Sequence, residues 1–316
     1  MGAPSSHHRH DGDHLPPAQV VEVADGLFAY VQADGSWWIN NTGFLVGSTG
    51  VVAIDTCSTE RRTRGLLDAI ASVSTQPVRT LVNTHHHGDH TNGNCLLPGA
   101  TIIGQTRCRN GVLANQTGGL EAIFGDVEWG DLEPSAPFVT FDERLDVHVD
   151  DLLVELHHVG TPAHTTNDVV AWIPERKVLY AGDLVFDGGT PFVLMGSVSG
   201  SLAAIDRLRA LGADTIVPGH GAVCGPAAFD AVVAYLTFVT DLAADAHAAG
   251  ATPLDAARQA DLGPFADLLD AERIVGNLHR AYDELDGAAP GAPVDVVAAF
   301  GDMVAFNGGE PLRCLA

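Results

Sequence analysis

The sequence predicts a mixed fold, α+β or α/β, in which two β-sheets pack face to face with helices outside. Two observations predict it. The chain contains two β-rich halves, each followed by a stretch of helical spacing. Its composition, 46% hydrophobic and 18% charged over 316 residues, is globular, and the length suffices to bury a substantial core.

The elements follow in order. "GLFAYVQ", "WWINNTGFLVG" and "GVVAIDT" are short β-type runs broken by Gly and Asn. "ERRTRGLLDAIASV" has helical spacing, and "VRTLVNT" is a strand that delivers the chain into the cluster "HHHGDH". Residues 105–150 are less regular, and "FGDVEWGDLEPSAPFVTF" within them, residues 124–141, reads as a long loop over one face. The second β-rich half runs through "LDVHV", "LLVELHHVG", "DVVAWIP" and "KVLYAGD". "SLAAIDRLRALG" is a helix, "DTIVPGH" another strand, and the pattern from Pro226 onward is helical. Residues 20–225 therefore read as the core, and 226–316 as a helical part packed on the same domain. Residues 1–19, with four histidines and no apolar core, read as a disordered tail and not as a secretory leader.

The net charge of −24 disfavours nucleic acid and anionic membrane surfaces as partners. No apolar run reaches the roughly 18 residues of a membrane helix. Five scattered cysteines without CxxC spacing fit a reducing compartment, hence a cytoplasmic protein, with Cys57 and Cys224 as packing residues.

Chemistry concentrates at predicted strand ends. In extended backbone, residues two apart project to one side, so His85 and His87 can reach one metal while His86 points away. Gly88 allows a tight turn that brings Asp89 and His90 to the same pocket. Downstream, His164 follows a strand in "VGTPAHTTND", and Asp183 and His220 end strands in "LYAGDLVF" and "IVPGHG". Zinc takes imidazole nitrogen and carboxylate oxygen, catalytic zinc sites keep a position open, and a carboxylate such as Asp183 can bridge two ions.

The ordered set HxHxDH, Gly-x-x-x-His, Ala-Gly-Asp and Pro-Gly-His-Gly resembles the metallo-β-lactamase-fold hydrolase superfamily. The resemblance implies a four-layer αββα sandwich, here with a C-terminal helical extension, and two zinc ions between the sheets, with iron or manganese as alternative metals. Carried over by position, His85, His87 and His164 are the first-metal ligands. Asp89, His90 and His220 are the second-metal ligands, and Asp183 bridges. Asp89 and Asp183 are the candidate catalytic carboxylates. Asp55, after "VVAI", matches a residue that braces the metal loop, and Asp168 can do similar work beside His164.

From about residue 20 onward the chain is also similar to the second-ring cyclases of bacterial aromatic (type II) polyketide pathways, the actinorhodin type. The stretches that carry this are "TPFVLMGSVSGSLAAIDRLRALG", "VPGHGAVCGP", "DLGPFADLLDAERIVGNLHRAYDEL" and "VAFNGGEPLRCLA". The His-rich tail is extra, and His86 occupies a variable position. This likeness implies an acyl-carrier-protein-bound polyketide thioester as substrate. The enzyme would close its second ring and release it by thioester hydrolysis.

Such a substrate calls for an apolar, aromatic pocket, for which Trp37, Trp38, Phe192, Leu194 and Met195 are the candidates. Strand alternation lets only one of the two tryptophans face the site. His279 either lines this pocket or is a satisfied core histidine, and Asn41 and Asn307 are weaker polar candidates. His148, His157, His158 and His247 read as surface or core residues. Arg61, Arg62 and Arg64, with Arg107 and Arg109, could form a basic patch for docking a carrier protein. A small-molecule substrate and a homo-oligomer remain open. The rival activities are a glutathione-thioester hydrolase, lactonase or β-lactamase of the same fold, or a mononuclear iron dioxygenase. A diiron flavoprotein is disfavoured, since it has Glu where this chain has His87 and needs a flavin domain.

Overall fold

A computed structural model describes residues 15–32, 34–114 and 120–316. Most of the proposed tail thus lies outside the described residues. Sheet one is built from β1 (Gln19–Ala24), β2 (Leu27–Val31), β3 (Thr42–Val46), β4 (Val51–Ile54), β5 (Val78–Val82), β6 (Thr101–Gln105) and β7 (Val139–Phe141), adjacent in chain order. Pairings are antiparallel up to β4 and parallel thereafter. Between its strands lie α1 (Glu60–Val73), α2 (Gly88–Thr91), α3 (Thr106–Ala114) and α4 (Glu121–Phe124). Sheet two has β8 (Arg144–Val149), β9 (Leu152–His158), β10 (Val169–Ile173), β11 (Val178–Phe186) and β12 (Thr215–His220). Its order is β12-β11-β10-β9-β8, and only β11–β12 is parallel. The helix α5 (Val198–Leu211) precedes β12. The chain then continues through α6 (Ala227–Ala248), α7 (Pro253–Gln259), α8 (Arg273–Leu285) and α9 (Val296–Phe306).

The layers follow from strand alternation. Leu27, Ala29, Val31, Leu45, Val52 and Ile54 face Val154, Leu156, Val169, Ala171 and Tyr180 in the core between the sheets. The alternate residues Phe28, Tyr30 and Phe44 face outward and are covered by Leu66 and Ile70 of α1. On the far face of sheet two, Val170, Trp172, Leu179 and Val185 pack with α5, α6, α8 and α9. The result is the αββα sandwich the sequence implied. Helix starts are capped as composition suggests: Thr59 accepts from Arg62 N–H at α1 and Ser197 from Gly200 N–H at α5.

Four expectations are revised. The strand expected at "WWINNTGFLVG" begins only at Thr42, because Trp37 and Trp38 form a turn and Trp38 has φ 65°. The strand β1 was not foreseen, and it starts at Gln19, inside the segment assigned to the tail. The less regular stretch 105–150 contains α3 and α4, which were not foreseen, while the loop expected at 124–141 runs from the end of α4 at Phe124 until β7 begins at Val139. Finally, α6 is long and apolar enough, by length and composition, to cross a membrane. Its Phe229, Val232, Tyr235, Leu236 and Val239 are buried in the core instead.

At Gly43, β3 leaves no room between itself and β11. A Cβ on Gly43 would lie 2.2 Å from the Tyr180 ring, which is fully buried and whose hydroxyl donates to the Phe28 carbonyl at 3.0 Å. Gly43→Ala therefore forces the sheets apart or breaks that bond. The expected loss is about 1–3 kcal/mol, the usual cost of overpacking a tight core. It should appear as a lower urea midpoint with an unchanged slope; an unchanged midpoint would refute the packing argument.

Candidate metal centre

All seven predicted donors meet at one end of the sandwich. His85 and His87 lie in the loop after β5, Asp89 and His90 in α2, His164 between β9 and β10, and His220 at the last residue of β12. Asp183 lies inside β11, which runs on to Phe186, and not at a strand end as expected. Two donor groups result: His85, His87, His164 and Asp183, and Asp89, His90, Asp183 and His220. Within each group the donor atoms lie within 4.8 Å of one another, and Asp183 belongs to both.

Asp183 is the hub. Its Oδ1 lies 3.0 Å from His90 Nε2, and its Oδ2 lies 3.3 Å from both His164 Nε2 and His220 Nε2 and 3.9 Å from His85 Nε2. Asp89 Oδ2 stands 3.3 Å from His220 Nε2. Space for the Asp183 carboxylate exists because residue 219 is glycine: a Cβ there would fall 1.9 Å from Asp183 Oδ1.

The second nitrogen of each ring is held from behind. His90 Nδ1 donates to Asp55 Oδ2 at 2.8 Å, and the same carboxylate accepts from Thr84 N–H at 2.8 Å and Thr84 Oγ1 at 2.7 Å. His85 Nδ1 meets Thr84 Oγ1 at 3.0 Å. His164 Nδ1 meets the Phe192 carbonyl at 2.5 Å, and His220 Nδ1 the Gly35 carbonyl at 3.1 Å. These acceptors place the proton on Nδ1 and leave the Nε2 lone pair facing the cluster, as a metal requires. His87 is reversed: its Nδ1 lies 2.8 Å from His164 Nε2, while its Nε2 faces Met195 Sδ at 3.4 Å. Asp55, at φ 60°, ties β4 to the metal loop, and Asp168 accepts from Thr165 N–H and Oγ1 beside His164.

The residues fit metal ions. His85 Nε2, His90 Nε2 and Asp183 Oδ1 are buried without a hydrogen-bond partner, and all three point into the cluster. Buried polar atoms left this way are costly unless something else satisfies them. Burial, with neighbouring imidazoles, holds His85 and His87 well below the ordinary histidine range, and so as neutral donors. Burial alone would also lower His90 and His220, but the carboxylates of Asp183 and Asp89 outweigh it and raise both. Burial would likewise raise Asp183 and Asp89, but the surrounding histidines hold both low.

A cavity of about 220 Å³ opens on this cluster. His87, Asp89, His164, Asp183 and His220 form its floor, and Trp37, Trp38, Phe186, Phe192 and Met195 its near walls. Both tryptophans contribute, contrary to the alternation argument, because a turn and not a strand presents them. Leu194 and His279 are placed elsewhere. Leu194 is fully buried behind the wall, and His279 binds Asp302 at 2.8 Å on α8. Asn41 is buried and donates to the Pro218 and Gly221 carbonyls, while Asn307 caps α9. Arg62 leaves the expected basic patch altogether: it is buried and donates to the Trp38 and Asn40 carbonyls, which holds the tryptophan turn.

Sequence reasoning missed the far wall. Leu120, Ile123 and Phe124 come from around α4, Val296 and Phe300 from α9, and Arg273 from α8. The Arg273 guanidinium lies 4.2 Å from the Trp37 ring centre, and Glu272 Oε1 accepts from Trp37 Nε1 at 2.7 Å. No local motif marks these positions. For Val296 and Phe300 the available signal was apolar spacing on a helix assigned to packing, whereas Leu120, Ile123 and Phe124 lay in a stretch read as irregular.

Two ions per chain are the expected load. Asp183→Ala should lower elemental content at both positions, since it belongs to both groups. Asp55→Ala should mainly weaken the His90 position, by about 10–100-fold in affinity, as loss of an outer partner does. Equal loss of both ions from Asp55→Ala would contradict the wiring described.

The comparisons agree with this geometry. Residues 35–220 match the model of the metallo-beta-lactamase superfamily. The chain is 29% identical over 205 residues to 2,4-dinitroanisole O-demethylase subunit alpha of Nocardioides sp. (strain JS1661), covering 64% of this chain and 55% of that protein. It is 30% identical over 140 residues to hydroxyacylglutathione hydrolase of Methylococcus capsulatus, covering 43% of this chain and 45% of that one. The chain thus spans about half the length of these curated relatives. The solved metallo-beta-lactamase from Pontibacter korlensis superposes with a TM-score of 0.59 at 21% identity, over 70% of this chain and 99% of that one. At that identity the likeness speaks for the fold. The family match runs from the loop before β3 to the end of β12, more than half of the chain, and this chain belongs to the metallo-β-lactamase superfamily.

Proposed function

We propose that this chain is a dinuclear zinc hydrolase that closes the second ring of an aromatic polyketide intermediate and frees it by hydrolysing its acyl-carrier-protein thioester. The observation that carries the reading is the wall of the cavity. Ten of its lining residues are apolar, six of them aromatic, and they stand directly above both donor groups. Such a wall suits a flat, fused-ring acyl group and excludes water from it.

Imidazole and carboxylate donors suit zinc, and two zinc ions bound here would supply Lewis acidity and a nucleophile at neutral pH. The rest is the work of the chain. Trp37, Trp38 and Phe124 pack edge to face, with ring centres 5.4 and 5.6 Å apart, and so present a rigid slot to the acyl ring. Asp89 is the more exposed of the two carboxylates and lines the cavity, so it is our candidate to accept a proton during ring closure. A thiolate leaving group needs little acid help, because a free thiol has a pKa of about 8.5. Scattered, unpaired cysteines fit a cytoplasmic setting. With Arg62 buried, carrier-protein docking would rely on the exposed Arg61, Arg64, Arg107 and Arg109.

Hydrolysis of a glutathione thioester is the second reading, favoured by the name of the relative from Methylococcus capsulatus. The cavity weighs against it: Arg273 is the one cation among its lining residues, poor provision for a charged tripeptide. Substrate profiling decides. Aryl or naphthoyl thioesters of a pantetheine analogue should be hydrolysed with higher kcat/KM than acetyl or glutathione thioesters or β-lactams. Phe124→Ala should raise KM for the aromatic substrates about 3–10-fold, since aromatic contacts contribute roughly 0.5–1.5 kcal/mol, and leave the acetyl thioester unchanged. Efficient β-lactam or glutathione-thioester turnover with idle aryl thioesters would overturn the polyketide reading and leave the family intact.

A further inference from the structure

Arg273, Asn277 and Arg280 stand at i, i+4 and i+7 of α8, on one face of the helix. Their exposures are 2%, 0% and 0%. Polar side chains buried this deeply are costly unless most of their donors are paired. Arg273 pairs with Asp270, Asn277 donates to the Tyr235 hydroxyl and Arg280 to the Ala292 carbonyl, and the remaining bonds converge on one stretch of main chain. Arg273 Nη1 donates to the Thr190 carbonyl at 3.0 Å and Asn277 Nδ2 to the Pro191 carbonyl at 2.8 Å. Asn277 Oδ1 accepts from Val193 N–H at 2.9 Å, and Arg280 Nε donates to the Leu194 carbonyl at 2.9 Å.

Residues 191–194 belong to no helix or strand, so these bonds replace the ladder that regular structure would supply. Of the two carbonyls between the anchors, that of Val193 accepts from Gly196 N–H, and the other, that of Phe192, is aimed at the ligand cluster. It meets His164 Nδ1 at 2.5 Å. The helix also approaches Phe192 from behind at Gly276, where a Cβ would lie 2.7 Å from the phenyl ring.

We propose that Arg273, Asn277 and Arg280 are positioning residues for the first metal, acting through the Phe192 carbonyl on the orientation and tautomer of His164. For Asn277 and Arg280 the effect is confined to one ion; Arg273 also lies over the Phe186 ring, which stacks on His220 of the second group. The imidazoles of the second group are held by Asp55 and by the Gly35 carbonyl, neither of which α8 touches through these bonds. The C-terminal helical part, outside the segment matched to the family, thereby tunes a site whose ligands all lie inside that segment. The inference rests on the two-metal reading and not on the substrate.

Cobalt(II) titration of the apo protein, followed by visible absorption, tests it. His85→Ala and His220→Ala supply the reference spectra for loss of the first and second ion. Asn277→Ala should weaken first-site binding about 10–100-fold, the usual cost of losing an outer-shell partner, and leave the second site at parental affinity. Arg280→Lys, which keeps a donor, should lose less. Ile70→Ala, in the separate cluster under α1, should lower Tm without moving either affinity. If Asn277→Ala does not fold, Asn277→Leu, close in size and uncharged, removes the same hydrogen bonds and is read the same way. Parental affinity at both sites, or equal weakening of both, overturns the proposal. A parent protein that binds fewer than two ions overturns the two-metal reading instead.

Discussion

Five imidazoles and two carboxylates share one dry pocket, and the Asp183 carboxylate is what makes that arrangement tenable. It sits within β11, past the residues paired with β10 and in an irregular part of the pairing with β12, between Gly182 and Phe186. Its two oxygens reach His90, His164 and His220 within 3.3 Å. Everything nearby accommodates it. Gly219 yields the space a Cβ would take, Asp55 and Thr84 turn the neighbouring rings, and the parallel pairing of β11 with β12 brings His220 alongside. Without metals the group retains unpaired buried polar atoms, a desolvation cost that bound ions would offset.

How much of this was legible depended on how local each signal was. The donor set is written in short motifs whose residue types admit few other uses, and the loop after β5 delivered His85, His87, Asp89 and His90 as the spacing implied. The sandwich was legible because strand alternation and helix spacing are themselves local. The tryptophan turn was not. "WWINN" has β-type composition, and nothing in it reveals that the buried Arg62, from the next helix, holds the Trp38 carbonyl in a turn. Leu194 and His279 failed for a related reason. Neighbouring a wall residue, or lying on an amphipathic helix, does not fix which way a side chain points.

The cavity wall was illegible in a deeper sense, because it has no sequence locus. Trp37, Phe124, Phe192 and Phe300 come from four separate stretches and meet with ring centres 5.1–6.2 Å apart. Each is an ordinary core aromatic by its own neighbourhood. Only the closing of α9 and α4 over the strand ends turns them into a surface that a ligand could touch.

This division of labour bears on specificity. The metal donors lie between residues 85 and 220, in segments whose geometry the sandwich dictates. The wall draws instead on the turn at 37–38, on α4 and on the C-terminal helices. Changes in those parts can reshape the cavity without disturbing Asp183 and its imidazoles. The exception is the face of α8 that grips residues 190–194, where wall and ligand shell are joined through the Phe192 carbonyl. There the same few hydrogen bonds set both the shape of the cavity and the aim of His164, so a substitution cannot alter one while sparing the other.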